Sequence, residues 1–394
     1  IRHDRNAVKK IAVVTGTRAE YGLLAPVMHK IKASSSLELQ VIVTGAHLLE
    51  EFGLTVEDIL REGFVINRAI PEISSASTGA EVAQQVGAGV IAFTVAFEEL
   101  APDAILLLGD RFELLAAATA AYFLAIPIVH IHGGEVTQGA FDDAIRHTIS
   151  QFARVHAVAA PEYAERLIRA GAHPGSVHVV GGLGVDSVHN VEKLSKVDLE
   201  AELGIRLEDP LLLVTYHPVT AAQHDTEAEI QSLVSALAMF PGATVVFTLP
   251  NADPENGIIA EALREAVKTK GNWHLFSSLG ATSYLSLMTQ ASAVVGNSSS
   301  GLMEAPTLGL PTVNIGPRQD GRLAGRSVLS CGTDQADIEA TITQALSRGF
   351  AESLTGMASP YGKVGATDRV LALLESTAFD TLGEKKYYDP PEKR

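Results

Sequence analysis

Along this chain short runs rich in β-branched residues alternate with longer helical stretches, and the alternation is run through twice. IAVVTG (11–16), LQVIVTG (39–45), AILLLGD (104–110), IPIVHIHGG (126–134) and VHVVGG (177–182) read as strands, with helical segments over 20–33, 80–100, 112–124 and 140–153. LLLVTYH (211–217), ATVVFTLPN (243–251), ASAVVGN (291–297) and PTVNIG (311–316) repeat the pattern. Near-continuous apolar strands are buried on both faces, which is the environment of a parallel sheet whose crossovers are helices. The expected fold class is α/β, with two Rossmann-like doubly wound domains. The charged stretch 191–209, closed by Pro210, separates the two runs and sets the junction. Ligands bind beyond the carboxyl ends of strands in such sheets. Two domains with facing strand ends would form a cleft that excludes water on closing.

Size agrees with two domains, since 394 residues exceed the ~250–300 at which one core stops growing. The net charge of −16 argues against a generic binder of nucleic acid or anionic membrane. Any phosphate must therefore be held by a local site. Cys331 is the only cysteine, which excludes an intrachain disulfide and suits a reducing compartment. The run IAVV near the N-terminus is too short for a signal or transmembrane segment. AAATAAYFLAIPIVHI is broken by Pro127 and follows Asp110, Arg111 and Glu113, so it reads as a buried helix and strand. A cytoplasmic location is expected.

The polar residues gather where the strands end. Thr15-Gly16-Thr17-Arg18-Ala19-Glu20 opens a helix. Its small residues allow close approach to the backbone, the helix N-terminus favours an anion, and Arg18 adds charge. A tight turn with a solvated arginine is the plainer alternative. Neither a GxGxxG fingerprint nor a Walker A loop is present, so NAD and ATP are unsupported. Within Gly109-Asp110-Arg111-Phe112-Glu113, Asp110 is either a cap for the next helix or part of a site with Arg111.

His130-Ile131-His132-Gly133-Gly134-Glu135 is followed by Asp142-Asp143 and Arg146-His147. Strand alternation predicts His130 and His132 on one face. Helical spacing puts Asp142 with Arg146, and Asp143 with His147. So many polar groups are costly in a core unless paired. A surface ion-pair helix and a zinc site are the alternatives. HExxH is lacking, and carboxylates and arginine outweigh histidine, which points to acid–base work without metal.

In the second half, His217 of Thr215-Tyr216-His217-Pro218-Val219-Thr220 is either a site residue or a buried, satisfied ring. Gly296-Asn297-Ser298-Ser299-Ser300-Gly301 precedes a helix with Glu304. This reads as a phosphate cradle with a carboxylate for ribose hydroxyls, or as a serine-rich N-cap with Glu304 in a capping box. Gly316-Pro317-Arg318-Gln319 and Gly321-Arg322 bring arginines to the same region.

In their order and spacing TGTRAEYG, GDRFE, HIHGGE with DDAIRH, YHPVT, PNAD, GNSSSG with Glu304, and GPRQDGR resemble the hydrolysing UDP-N-acetylglucosamine 2-epimerases of sialic-acid biosynthesis, over nearly the whole chain. The resemblance implies a GT-B-like fold, two Rossmann-like domains facing across a cleft that holds UDP. Residues 1–190 would carry the catalytic carboxylates and 191–365 would bind UDP. Residues 366–394 would form a C-terminal helix and tail packing back on the first domain. By resemblance Arg18, Arg111, His217, Ser298, Ser299, Glu304 and Arg318 contact UDP, with the backbone near Leu279 facing uracil. Asp110, Glu135 and Asp142 are the implied catalytic carboxylates, supported by Arg146 and His147. Ala19 departs from the proline of the broader family. His132 stands where several relatives have a catalytic glutamate and other bacterial members a histidine, so the acid and base are left unassigned.

The implied reaction converts UDP-N-acetylglucosamine and water to N-acetylmannosamine and UDP, by elimination to 2-acetamidoglucal and then hydration. It needs no cofactor and no metal, and the family implies a homodimer or homotetramer. The same reaction on UDP-2,4-diacetamido-2,4,6-trideoxyglucose, of the legionaminic-acid pathway, is the alternative. A GT-B glycosyltransferase would bind the same nucleotide but pass the sugar to an acceptor, and the clustered carboxylates favour epimerisation over it. A catalytically dead UDP-sugar sensor is the non-enzyme alternative.

Overall fold

The computed structural model describes residues 8–74, 76, 78–137, 142–219, 224–250 and 255–389. Thr220 of YHPVT, Asn251, Ala252 and Asp253 of PNAD, and positions 140 and 141 of the expected helix 140–153 lie outside these residues. The chain divides into two compact units. One comprises Ile1–Glu135, Asp142–Asp186 and Lys363–Arg394; the other comprises Val136–Phe141 and Ser187–Gly362.

The first unit runs β1 (Lys9–Thr15), α1 (Arg18–Ala33), β2 (Leu37–Thr44), α2 (Val56–Arg61), β3 (Ile66–Ile70), α3 (Gly79–Leu100), β4 (Ala104–Leu108), α4 (Phe112–Phe123), β5 (Ile128–Ile131), α5 (Asp142–Phe152), β6 (Val155–Val158), α6 (Pro161–Arg169), β7 (Val177–Val179) and into α7 (Leu183–Asn190). Its strands pair in parallel in the order β3-β2-β1-β4-β5-β6-β7. Alternation along β1 feeds two cores. Ile11 and Val13 pack with Leu24, Met28 and Ile31 of α1. Ala12 and Val14 face the opposite layer, with Phe93 and Phe97 of α3 and Leu114 of α4. By length and composition α3 is apolar enough to cross a membrane; here it lies along α4 in this second core.

The second unit holds α8 (Lys196–Leu203), β8 (Leu211–Thr215), α9 (Thr226–Ala238), β9 (Thr244–Thr248), α10 (Asn256–Lys268), β10 (Trp273–Phe276), α11 (Gly280–Gln290), β11 (Ala293–Gly296), α12 (Ser300–Met303), β12 (Thr312–Ile315), β13 (Val328–Cys331), α13 (Gln335–Ala345) and α14 (Arg348–Ser353). Its parallel sheet has the order β10-β9-β8-β11-β12-β13. The chain then returns as α15 (Ala366–Ser376), whose Ala366, Val370 and Leu374 enter the core of Ile11 and Val13. The cap residue of α15, Gly365, has no side chain. The buried Asp186 carboxylate does the capping instead, accepting from Gly365 N and Thr367 N at 2.7 Å each.

The units break between Asp186 and Ser187 rather than at 190/191, and the C-terminal return begins at Lys363 rather than 366. Val136 and Thr137, expected in the first domain, group with the second unit, where Arg322 donates to Val136 O and Thr137 Oγ1. Four strands are added to those read in the sequence. β3 and β13 are edge strands, and β3 carries Asn67 and Arg68. β6 and β10 span four residues each, with a histidine inside. None has the continuous apolar run that marks a doubly covered strand.

Candidate active site

In each sheet strand order reverses beside the first strand, between β1 and β4 and between β8 and β11. Both reversals are topological switch points, and the conspicuous polar motifs flank them.

At the first switch point, Thr17 caps α1 and Glu20 closes a capping box, its Oε2 accepting from Gly16 N at 2.9 Å and Thr17 N at 3.2 Å. Burial, and next the Glu113 carboxylate, push Glu20 up to about 8. Glu113 pairs with Arg111 at 3.4 Å, both buried. Its side chain fills the space beside Gly16 and Gly45. Arg18 reaches Asp58 of α2 at 3.2 Å. His47 bridges Thr15 Oγ1 and Thr55 Oγ1 at 3.0 and 2.6 Å, and burial, then the Arg18 charge, lower it to about 4.

Asp110 does not cap α4; the cap residue is Arg111, with no side-chain cap bond. Asp110 instead forms an ion pair with Arg146 of α5, a side chain 1% exposed, while Asp110 itself is 18% exposed. Asp143 stands 4.0 Å from Arg146 and 3.7 Å from His147. Burial lowers the His147 pKa against the pull of Asp143. Asp142, half-buried, opens the described part of α5. This helix is therefore no surface ion-pair helix: its central arginine is sunk in the protein and tied to the end of β4.

His130 and His132 do not share a strand face. β5 stops at Ile131, and His132 takes a left-handed conformation with φ 61°. A non-glycine residue there is uncommon and strained. The turn brings His132 Nδ1 within 3.2 Å of Glu135 Oε1, both buried. His130 points elsewhere, its Nδ1 3.0 Å from Ser150 Oγ and its Nε2 2.7 Å from Gly109 O. Among the described residues no group of three or more His, Cys, Asp or Glu is placed to hold a metal ion.

At the second switch point the organiser is Asn297, fully buried. Its Oδ1 accepts from His217 N at 2.7 Å and its Nδ2 donates to His217 O at 2.8 Å. Its own carbonyl accepts from Arg318 at 3.1 Å and Gln319 at 2.7 Å. Asn297 thus joins three candidate segments: the ends of β8 and β11 and the turn after β12. Gly296 makes this approach possible, because a Cβ there would collide with Thr215 O. The Ser298, Ser300 and Tyr284 hydroxyls form a connected set, Ser300 Oγ lying 2.6 Å from Tyr284 OH and 3.2 Å from Ser298 Oγ. Burial raises Tyr284 to about 12. Ser299 is half-buried at the head of α12.

The expected helix after the serines is a single four-residue turn. Its dipole is correspondingly small, so any anion held here depends on hydroxyls, amides and Arg318. Glu304, buried, ends α12 instead of standing in a capping box. Leu279 immediately precedes α11.

Two doubly wound parallel sheets with polar switch points define a GT-B-like α/β protein. A structure of UDP-GlcNAc 2-epimerase from Neisseria meningitidis bound to UDP-GlcNAc shares this fold, with a TM-score of 0.79 at 20% identity over 93% of this chain and 99% of that one. The UDP-N-acetylglucosamine 2-epimerase family profile matches residues 29–375, and the chain belongs to that family. It is 37% identical to a GDP/UDP-N,N'-diacetylbacillosamine 2-epimerase (hydrolyzing) of Campylobacter jejuni, covering 97% of this chain and 99% of the relative. It is 33% identical to a UDP-N,N'-diacetylbacillosamine 2-epimerase (hydrolyzing) of Legionella pneumophila, covering 86% and 90%.

Proposed function

We propose that the chain is a hydrolysing 2-epimerase of a UDP-linked 2-acetamido sugar. The observation that carries this reading is the Asp110–Arg146 pair at the end of β4, beside the first switch point, with the His132–Glu135 turn following the paired strand β5. A base removes the C2 proton, the C–H electrons form the C1=C2 bond, and the C1–O bond to UDP breaks. Water then adds hydroxide to C1 and a proton returns to C2 on the opposite face. The net change is hydrolysis with inversion at C2. Asp110, Glu135 and Asp142 are the carboxylates proposed for proton transfer, with His132, Arg146 and His147 holding or polarising them.

Charge develops chiefly on the departing diphosphate, so fixed donors there lower the barrier most. His217, Ser298, Ser299 and Arg318 are proposed to supply them, with Glu304 on the ribose and the Leu279 backbone at uracil. Arg18 and Arg111, now paired with Asp58 and Glu113, are the first unit's contributors. None of these steps calls for a cofactor.

Two sugars fit this chemistry. The diacetylbacillosamine nucleotide, which is the 2,4-diacetamido-2,4,6-trideoxy sugar, is put first because the Campylobacter and Legionella relatives carry that name. UDP-N-acetylglucosamine, after which the family is described, is put second. The test is incubation with each sugar nucleotide, without acceptor, in heavy water. Release of UDP with a free, C2-deuterated 2-epimer is expected. Release that requires an acceptor indicates a glycosyltransferase and overturns the proposal, as does UDP release without C2 exchange.

A further inference from the structure

The segment after α15 lies beyond the 29–375 span of the family match and runs against the first unit as a strap. Lys9 anchors its start, donating to Glu375 O and Thr377 O, with its ammonium 5.8 Å from the centre of the buried Phe379 ring. Arg154 donates to Leu382 O and Gly383 O. At the far end Tyr388 N donates to Gly171 O at 2.9 Å, and the Tyr388 ring meets His173 edge-on at 5.4 Å. The Tyr387 ring occupies the space where a Cβ of Gly171 would stand, and Gly171 has φ +96°, so only glycine suits that position.

Between these pins Lys385 turns inward and its Nζ donates to Ser150 O at 2.8 Å. Ser150 lies one turn beyond Arg146 on α5. Its hydroxyl is 3.0 Å from His130 Nδ1, and His130 Nε2 is 2.7 Å from Gly109 O, the residue before Asp110. A carbonyl only accepts, so Nε2 carries the ring proton and Nδ1 accepts from the Ser150 hydroxyl. That tautomer is neutral, and burial holds His130 down at about 4. One ammonium therefore reaches α5, then β5, then the end of β4.

We infer that Lys385 is a positioning residue for the reaction, fixing from the C-terminal strap the contacts that hold Arg146 and Asp110 together. The groups whose charge it feels or perturbs are Arg154 before β6, His130 of β5 and His156 of β6. His156 is buried and neutral, and neither ring nitrogen has a hydrogen-bond partner among the described residues, so it does not compete for the ammonium.

The inference rests on the reading of Asp110 and Arg146 given above. Lys385→Met keeps most of the stem and removes the donor. It should lower kcat by about 10- to 100-fold, the range expected when catalytic groups shift by a fraction of an ångström to an ångström. KM and UDP affinity should stay within about twofold of wild type, and Lys385→Arg should recover most of kcat. If Lys385→Met does not fold, Gly171→Val, which dislodges the strap with Lys385 intact, should show the same kcat loss. Wild-type kcat in the folded Lys385→Met protein overturns the inference. So does parallel loss of kcat and UDP affinity, or an Lys385→Arg variant no better than Lys385→Met. Asp110→Asn run alongside separates the two ideas. If it turns over normally, the reading of the site fails; if it is inactive while Lys385→Met is normal, only the strap's role fails.

Discussion

Asp110→Asn isolates the ionisable group at the end of β4 while preserving its shape. Arg146 is 1% exposed, Asp110 is its close partner, and Asp143 is 4.0 Å away. Removing one member of a buried pair outright costs about 3–5 kcal/mol. The asparagine oxygen still accepts from the guanidinium and Asp143 remains, so the loss here should be about 2 kcal/mol. At roughly 2–4 °C per kcal/mol, the melting temperature should fall by about 4–8 °C. A protein with ~5–15 kcal/mol in hand stays folded at 25 °C after that loss. Turnover should nevertheless drop by about two powers of ten or more if the carboxylate moves a proton or holds its partner. UDP affinity should change little, since the diphosphate contacts are proposed mainly on the second unit. Melting temperature, UDP release per folded molecule and C2 deuteration are measured on the same preparation. An earlier melt with normal turnover would refute the reasoning and reduce Asp110 to a structural partner of Arg146.

Glu20 is held near 8 against 4.5 when free, so its folded form favours the proton and its contribution to stability, present at acid pH, is lost as pH rises toward 8. Glu20→Gln should melt higher than wild type above about pH 8, with the gap closing toward about pH 5; a gap independent of pH counts against the buried protonated acid. Asn297→Ala strips the side-chain partners from His217 N and His217 O, while Arg318 and Gln319 keep the main-chain carbonyl they donate to, and should cost about 1–3 kcal/mol for each polar group left unmet. Calorimetry should then detect no UDP binding, and wild-type affinity would remove Asn297 as organiser. Ser298→Ala with Ser299→Ala should weaken UDP binding by roughly 1.5–3 kcal/mol per lost bond to the diphosphate, and unchanged affinity would remove the cradle. Exhaustive chelation should leave turnover intact, whereas loss restored by one divalent ion would reinstate a metal site.

The sequence exposes those parts of the fold whose signal is local. β1, β4 and β8 are doubly covered strands, and their continuous apolar runs say so without any partner. β3 and β13 stand at sheet edges, where covering is partial and the apolar run is diluted. The motifs at the strand ends were legible as residue types, but their pairings were not. Asp110 follows a strand like any helix cap, and only the approach of α5 shows that its partner is Arg146. HIH reads as strand alternation because a left-handed residue leaves no trace in composition, yet the φ of His132 decides that it meets Glu135 instead of His130. Asn297 stands inside GNSSSG with no local sign of its role, since its bonds form only where β8 and β11 run side by side. Lys385 lies in a polar tail with no periodicity, so nothing local marks it as turned inward.

The two switch points differ in the kind of polar group they hold, and the difference matches the two halves of the proposed reaction. The first gathers ionisable groups in contact: Glu20 is raised by burial and by Glu113, Arg111 and Arg146 are buried against carboxylates, and His132 stands 3.2 Å from Glu135. The proposed proton transfer at carbon would use carboxylates held in place by such contacts. Beside His217 and Glu304, the second gathers groups that remain donors at any working pH. Serine hydroxyls and the Asn297 and Gln319 amides do not ionise, Arg318 stays charged, and burial lifts Tyr284 to about 12. A departing diphosphate needs donors that are already oriented and do not titrate away as charge arrives. Exchanging the two sets would serve neither step: a field of titrating carboxylates would repel the leaving group, and neutral amides have no proton affinity with which to deprotonate C2.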